Sequence, residues 1–98
     1  MFNKIEKMSD KKLSLQDCIN NVATFHDAFG IGNESAPKAE VGEATYSLRY
    51  KLMREENEEY LQAAKDGDLT EIADALGDML YILCGTIIEH GLQHKIED

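Results

Sequence analysis

Residues 54–78 read REENEEYLQAAKDGDLTEIADALGD. The stretch carries nine carboxylates (Glu55, Glu56, Glu58, Glu59, Asp66, Asp68, Glu71, Asp74 and Asp78) against two cations, Arg54 and Lys65. It holds −7 of a whole-chain charge of −9. Apolar-periodic segments flank it on both sides, so it is not a solvated tail. At about 100° per residue around a helix axis, Glu55, Glu56 and Glu59 fall within an arc of about 100°. Leu48, Leu52 and Ala63 share that arc, and Glu58 points away. Glu71, Asp74 and Asp78 fall within about 60° of one another, flanked by Ala75 and Ile82. The link Asp66-Gly67-Asp68 is short, which makes the two helices antiparallel neighbours. Two rows of acids then face each other across one helix–helix seam.

Outward from this stretch the chain reads as helix. Ser14 with Asp17 three residues on is an N-terminal capping pair. Apolar residues at Leu15, Ile19, Val22, Phe25 and Phe29 then predict a first helix over 14–29, closed by Gly30. Residues 30–42, with three glycines and the only proline, form one long loop placed to lie over a site or to serve as a connector. A second helix is expected over 43–65, with Leu48, Leu52, Tyr60 and Ala63 on its buried face. Asp68 caps a third over 69–90, apolar on most sides from Leu76 onward, as a central buried helix is. Residues 92–98 begin a short fourth, and 1–12 are polar and frayed. The expected fold is a single all-α domain, an antiparallel bundle of three main helices and a short C-terminal one. At 98 residues its small core gains from dimerisation or tetramerisation.

Composition narrows the function. A charge of −9 excludes the basic patches that nucleic acids and anionic membranes require. An anionic substrate would need metal ions to reverse the local sign. Cys18 and Cys84 lack a partner motif and read as free thiols. The N-terminus has no apolar signal region, and Met79 to Ile88 is too short to span a bilayer. A reducing cytoplasm fits these features.

Unpaired buried carboxylates cost several kcal/mol each, so paired rows of them take up protons or bind a cation. Oxygen ligands at helical spacing suit Mg²⁺ or Mn²⁺, and Mg²⁺ keeps positions open for water and phosphate oxygens. The plain alternative is a solvated glutamate-rich face, with Asp68 and Glu71 acting only as a helix cap.

Glu55-Glu56-Asn57-Glu58-Glu59 matches the E-E-x-x-E motif of the MazG-like, or phosphoribosyl-ATP-pyrophosphohydrolase-like, all-α nucleoside triphosphate pyrophosphatases. The run from Glu71 to Asp78, with the apolar Met79-Leu80-Tyr81-Ile82 after it, resembles their second motif. Phe25-His26-Asp27-Ala28-Phe29-Gly30 is similar to the first helix of a short branch. The resemblance covers residues 14–96. It implies a dimer or a dimer of dimers that binds Mg²⁺ through the two motifs. It also implies hydrolysis of a nucleotide between the α and β phosphates, giving a monophosphate and pyrophosphate, a nucleotide-pool house-cleaning activity. Carried over, Glu55 and Glu56 orient or deprotonate the attacking water, and Glu56, Glu59, Glu71, Asp74 and Asp78 hold metal. The family's usual acid three residues before the last Asp is Ala75 here, so Asp74 or Glu71 supplies those oxygens. Relatives also continue with an Asn- and Lys-containing segment where this chain reaches Asp98.

Around the seam, Arg49, Lys51, Arg54 and Lys65 are candidate phosphate contacts or ordinary partners of glutamates, as the spacing of Lys51 and Glu55 allows. His26 and Tyr81 are candidate substrate contacts or core side chains. His90 and His94 read as charge partners of a helix C-terminus. A competing function is a non-catalytic helical interaction or regulatory module related to the same family.

Overall fold

The computed structural model describes residues 14–30 and 36–96. Its helices are α1 (Leu15–Ala28), α2 (Glu43–Asp66) and α3 (Leu69–Glu89). The described residues contain no strand. α1 begins with a complete capping box. The Asp17 N–H donates to Ser14 Oγ at 3.0 Å, and the Ser14 N–H donates to the Asp17 carboxylate at 3.1 Å. Two otherwise unmade backbone donors are satisfied in this way.

The reversal between α2 and α3 is set by Gly67. Its φ of 67° lies in the left-handed region, where a Cβ would clash and glycine has none. The Gly67 and Asp68 N–H groups close the end of α2 by donating to Ala64 and Ala63 carbonyls at 3.2 and 3.0 Å. Asp68 then turns to the next helix and accepts the Glu71 N–H at 3.1 Å. The two helices are left side by side and antiparallel.

α3 is the central element. It packs on α1 and on α2, while the α1 and α2 backbones do not approach each other closely among the described residues. Against α1 it forms the apolar core, where Ile19 and Val22 meet Cys84, Ile87 and Ile88. Fully burying such a side chain contributes roughly 1.5–3 kcal/mol. Against α2 the contact near the turn is made by Ala63 and Ala75, both buried. Small residues there bring the two backbones close and leave longer neighbours to line a cleft.

Three expectations are corrected. The inward line of α2 runs through Arg49, Glu56 and Ala63, whereas Leu48 is 50% exposed and Tyr60 36%. The buried face is therefore rotated from the one read on the helical wheel, because Leu52 and Ala63 fit both settings. α3 is central, but Leu69, Leu76 and Leu83 form an uncovered line along it. The stretch after α3 forms turns through Ile96 rather than a fourth helix. It is held by the Leu92 N–H on the Ile87 carbonyl at 2.9 Å and by Gln16 Nε2 on the Gln93 carbonyl at 2.8 Å. Residues 1–12 and 97–98 lie outside the described residues.

The described part of the long loop lies at the far end of α3. The Lys38 N–H donates to the His90 carbonyl at 2.8 Å, and His90 Nδ1 meets the Lys38 carbonyl at 2.8 Å. His90 thus holds a loop, and His94 is exposed. This part of the loop does not cover the acidic seam, which is at the opposite end.

Candidate active site

The seam brings four of the predicted acids together. Glu56, on the inward line of α2, is half-buried. Its pKa is pushed up to about 7 by burial, by hydrogen bonding to Glu59, and by the charges of Glu59, Asp78 and Asp74. Asp78 on α3 is also pushed up, by burial first and then by Asp74 and Glu59. Glu56 Oε2 is buried with no hydrogen-bond partner. A hydrogen bond between the Glu56 and Glu59 carboxyls needs a proton held between them. Like charges crowded in this way raise one another's proton affinity, which is the state that a divalent ion relieves.

Beside them a cleft of about 450 Å³ opens at the turn, lined by Glu59, Gln62, Asp66, Asp68, Glu71 and Asp74. In the sequence Asp66 and Asp68 mark only a helix break and a cap. Their position on either side of Gly67 is the one signal that places them at the mouth of this seam. Glu55, placed on the inward stripe by the helical wheel, is exposed and is not among the groups acting on Glu56. Its neighbour in sequence, 100° around the helix, takes the inward position.

The residues fit a hard cation in kind and in charge: all-oxygen donors, one of them a buried orphan. Among the described residues, no three His, Cys, Asp or Glu side chains are placed to hold a metal ion as they stand. Glu59, Glu71 and Asp74 line the cleft, and Glu56 and Asp78 lie beside it.

The basic and aromatic candidates divide. Arg49 is inward, with Nη2 3.8 Å from Glu89 of α3. His26 is 2% exposed, packed as a core histidine. Tyr81 is half-buried, and Phe25 meets it edge-on at 5.7 Å. Lys51, Arg54 and Lys65 are exposed. Arg54 sits 4.0 Å from Glu58 on the same helix and over the Tyr50 ring at 5.9 Å. Glu89 was not anticipated; its position one turn beyond Gly85, facing Arg49, appears only in the fold.

The seam thus gathers carboxylates from two antiparallel helices around one cleft. The family model described as phosphoribosyl-ATP pyrophosphohydrolase matches residues 22–96. The chain belongs to the phosphoribosyl-ATP pyrophosphohydrolase family, within the MazG-like all-α superfamily. No curated protein and no solved structure matches it. As a member of this family the chain carries a pyrophosphohydrolase domain that acts on nucleotides. The matched span contains both acidic motifs, the turn between them and all of α2 and α3. Among the described residues no helix is long and apolar enough to cross a membrane.

Proposed function

We propose that this chain is a Mg²⁺-dependent nucleoside triphosphate pyrophosphohydrolase, with Mn²⁺ as a substitute ion, that releases a nucleoside monophosphate and pyrophosphate. The observation that carries the reading is the buried, unpartnered Glu56 Oε2 among three further carboxylates. Glu59, Asp74 and Asp78, with Glu71 at the cleft mouth, would hold the ion, and Glu56 stands against it. A bound Mg²⁺ supplies charge neutralisation for the triphosphate and a more acidic water. Glu56 takes the proton of the attacking water, whose oxygen bonds to the α-phosphorus as the bond to the α–β bridging oxygen breaks and pyrophosphate leaves. Glu55 is the neighbouring candidate for orienting that water from the rim. Ala75, at the seam, leaves its place in the second motif to Asp74 and Glu71.

We assign the chain a homodimeric or homotetrameric state. The uncovered line of Leu69, Leu76 and Leu83 on the central helix supports it, since apolar side chains at this spacing suit a facing helix. The free thiols Cys18 and Cys84 support a reducing, cytoplasmic setting, and house-cleaning of the nucleotide pool is the role we favour.

The test is a screen of ribo- and deoxyribonucleoside triphosphates for pyrophosphate release with Mg²⁺ and Mn²⁺. Metal-dependent release from at least one nucleotide is expected. No release from any, with no effect of metal on the melting temperature, would leave a non-catalytic helical module.

A further inference from the structure

Two turns of α3 beyond Asp78, about 10 Å along the helix, lies a second concentration of polar and aromatic groups that the hydrolytic step does not use. Gly85 leaves a gap in α3 that Arg49 and His26 enter. A Cβ there would stand 2.7 Å from Arg49 Nη1 and 3.2 Å from His26 Nε2. Glu89 faces Arg49 from one turn further on, and the two side chains are 14% and 15% exposed. Their 3.8 Å separation is too long for a hydrogen bond, and Arg49 Nε is buried without an acceptor. A cation this withdrawn from water and this poorly paired is costly to keep, unless an acceptor arrives from outside.

An open aromatic shelf stands next to it. Phe25 and Phe29 lie with ring centroids 4.5 Å apart and are 40% and 69% exposed. Phe25 touches Tyr81, which also feels the Arg49 charge. Along α3 the acids as far as Asp78, the shelf at Tyr81 and the charge pair at Gly85 and Glu89 therefore follow one another.

We propose that Phe25, Phe29, Arg49 and Glu89 form the nucleobase subsite. The base stacks on the Phe25–Phe29 shelf, the Arg49 fork donates to ring or carbonyl acceptors on its edge, and Glu89 accepts from its N–H groups. The rise of about 10 Å along α3 from Asp78 to Gly85 leaves room for a sugar between the carboxylates and the Arg49–Glu89 pair. The inference rests on the carboxylates being the phosphate end of the site.

The experiment measures binding of the four nucleoside monophosphates, and of inorganic tripolyphosphate, by calorimetry in Mg²⁺ buffer. It uses the full chain and its Phe29→Ala, Arg49→Met and Glu89→Gln variants, with helicity and melting temperature confirming that each folds. The parent should prefer one base. Phe29→Ala should weaken every monophosphate by about tenfold, as the loss of one stacking contact does. Arg49→Met and Glu89→Gln should flatten the preference, each shifting the ratio between best and worst base by about tenfold. Loss of tripolyphosphate binding in Arg49→Met with base preference intact would make Arg49 a phosphate clamp and overturn the proposal. A parent that binds no monophosphate, or Arg49 and Glu89 variants with unchanged preference, would also overturn it. Base-selective binding in a chain that releases no pyrophosphate would uphold the subsite and refute the hydrolase reading. Pyrophosphate release without base preference would do the reverse.

Discussion

The carboxyl of Glu56 is hydrogen-bonded to that of Glu59, one turn further along α2, and burial together with Asp78 and Asp74 helps hold a proton there to about pH 7. The folded chain thus binds a proton at Glu56 more tightly than the unfolded chain, where the ordinary value is 4.5. A group raised in this way lends its full stability below the unfolded value and loses it as pH rises through the folded one. Metal-free protein should therefore melt at progressively lower temperature between about pH 4.5 and pH 7, and then level off. Thermal melts in chelator across this range test it. A melting temperature that climbs over the same interval would contradict a proton held at Glu56.

Glu56→Gln removes one like charge and keeps the shape. In chelator at pH 8 the variant should be more stable than the parent by about 1 kcal/mol, since an unpaired buried charge is lost. It should also lose the pH dependence, and its turnover should fall by about 10²–10⁴-fold if Glu56 is the base. Urea unfolding and pyrophosphate assays read the two effects separately. A variant less stable than the parent at high pH and fully active would place the proton elsewhere.

Divalent ions should reverse the penalty. At 100 times its Kd, a cation that binds only the folded chain stabilises it by about 2.7 kcal/mol. The melting temperature in saturating Mg²⁺ should rise clearly at pH 8 and less at pH 5, where Glu56 keeps its proton. Glu59→Ala and Asp78→Ala should abolish both this rise and pyrophosphate release. Parent-like turnover in either variant would remove that residue from the ion site.

Gly85→Val fills the gap beneath Arg49 and His26. The first added atom already falls 2.7 Å from Arg49 Nη1 and 3.2 Å from His26 Nε2, so both side chains must shift and the approach of Arg49 to Glu89 is disturbed. Overpacking of this kind costs about 1–3 kcal/mol. Urea unfolding should show that loss, while the metal-induced stabilisation at the acidic cleft should persist. An unchanged midpoint would mean that the gap is not filled in solution.

Leu76→Glu tests the uncovered line on α3. Leu76 is 49% exposed, so a charge there costs an isolated chain little. Sedimentation should show the parent as an oligomer and the variant as a monomer. A parent that sediments as a monomer would leave Leu69, Leu76 and Leu83 as an open surface.

The helices, their ends and the antiparallel reversal were legible in the sequence, because each rests on local chemistry. Ser14 with Asp17, Gly30, and Gly67 between Asp66 and Asp68 act on backbone groups within a few residues. The acidic rows were legible for the same reason, since spacing along a helix fixes which side chains share a face. Which acid turned inward was not legible. Glu55 and Glu56 both bordered the apolar arc, and only the approach of Ala63 to α3 chose between them.

By itself the sequence determined an acidic all-α chain with two carboxylate motifs on adjacent helices, since helical periodicity and caps are short-range. Tertiary packing alone decided that Glu56 is the buried member, that Asp66 and Asp68 line the cleft, and that Arg49 faces Glu89. These depend on the rotation of α2 against α3, which is set by contacts between residues far apart in the chain.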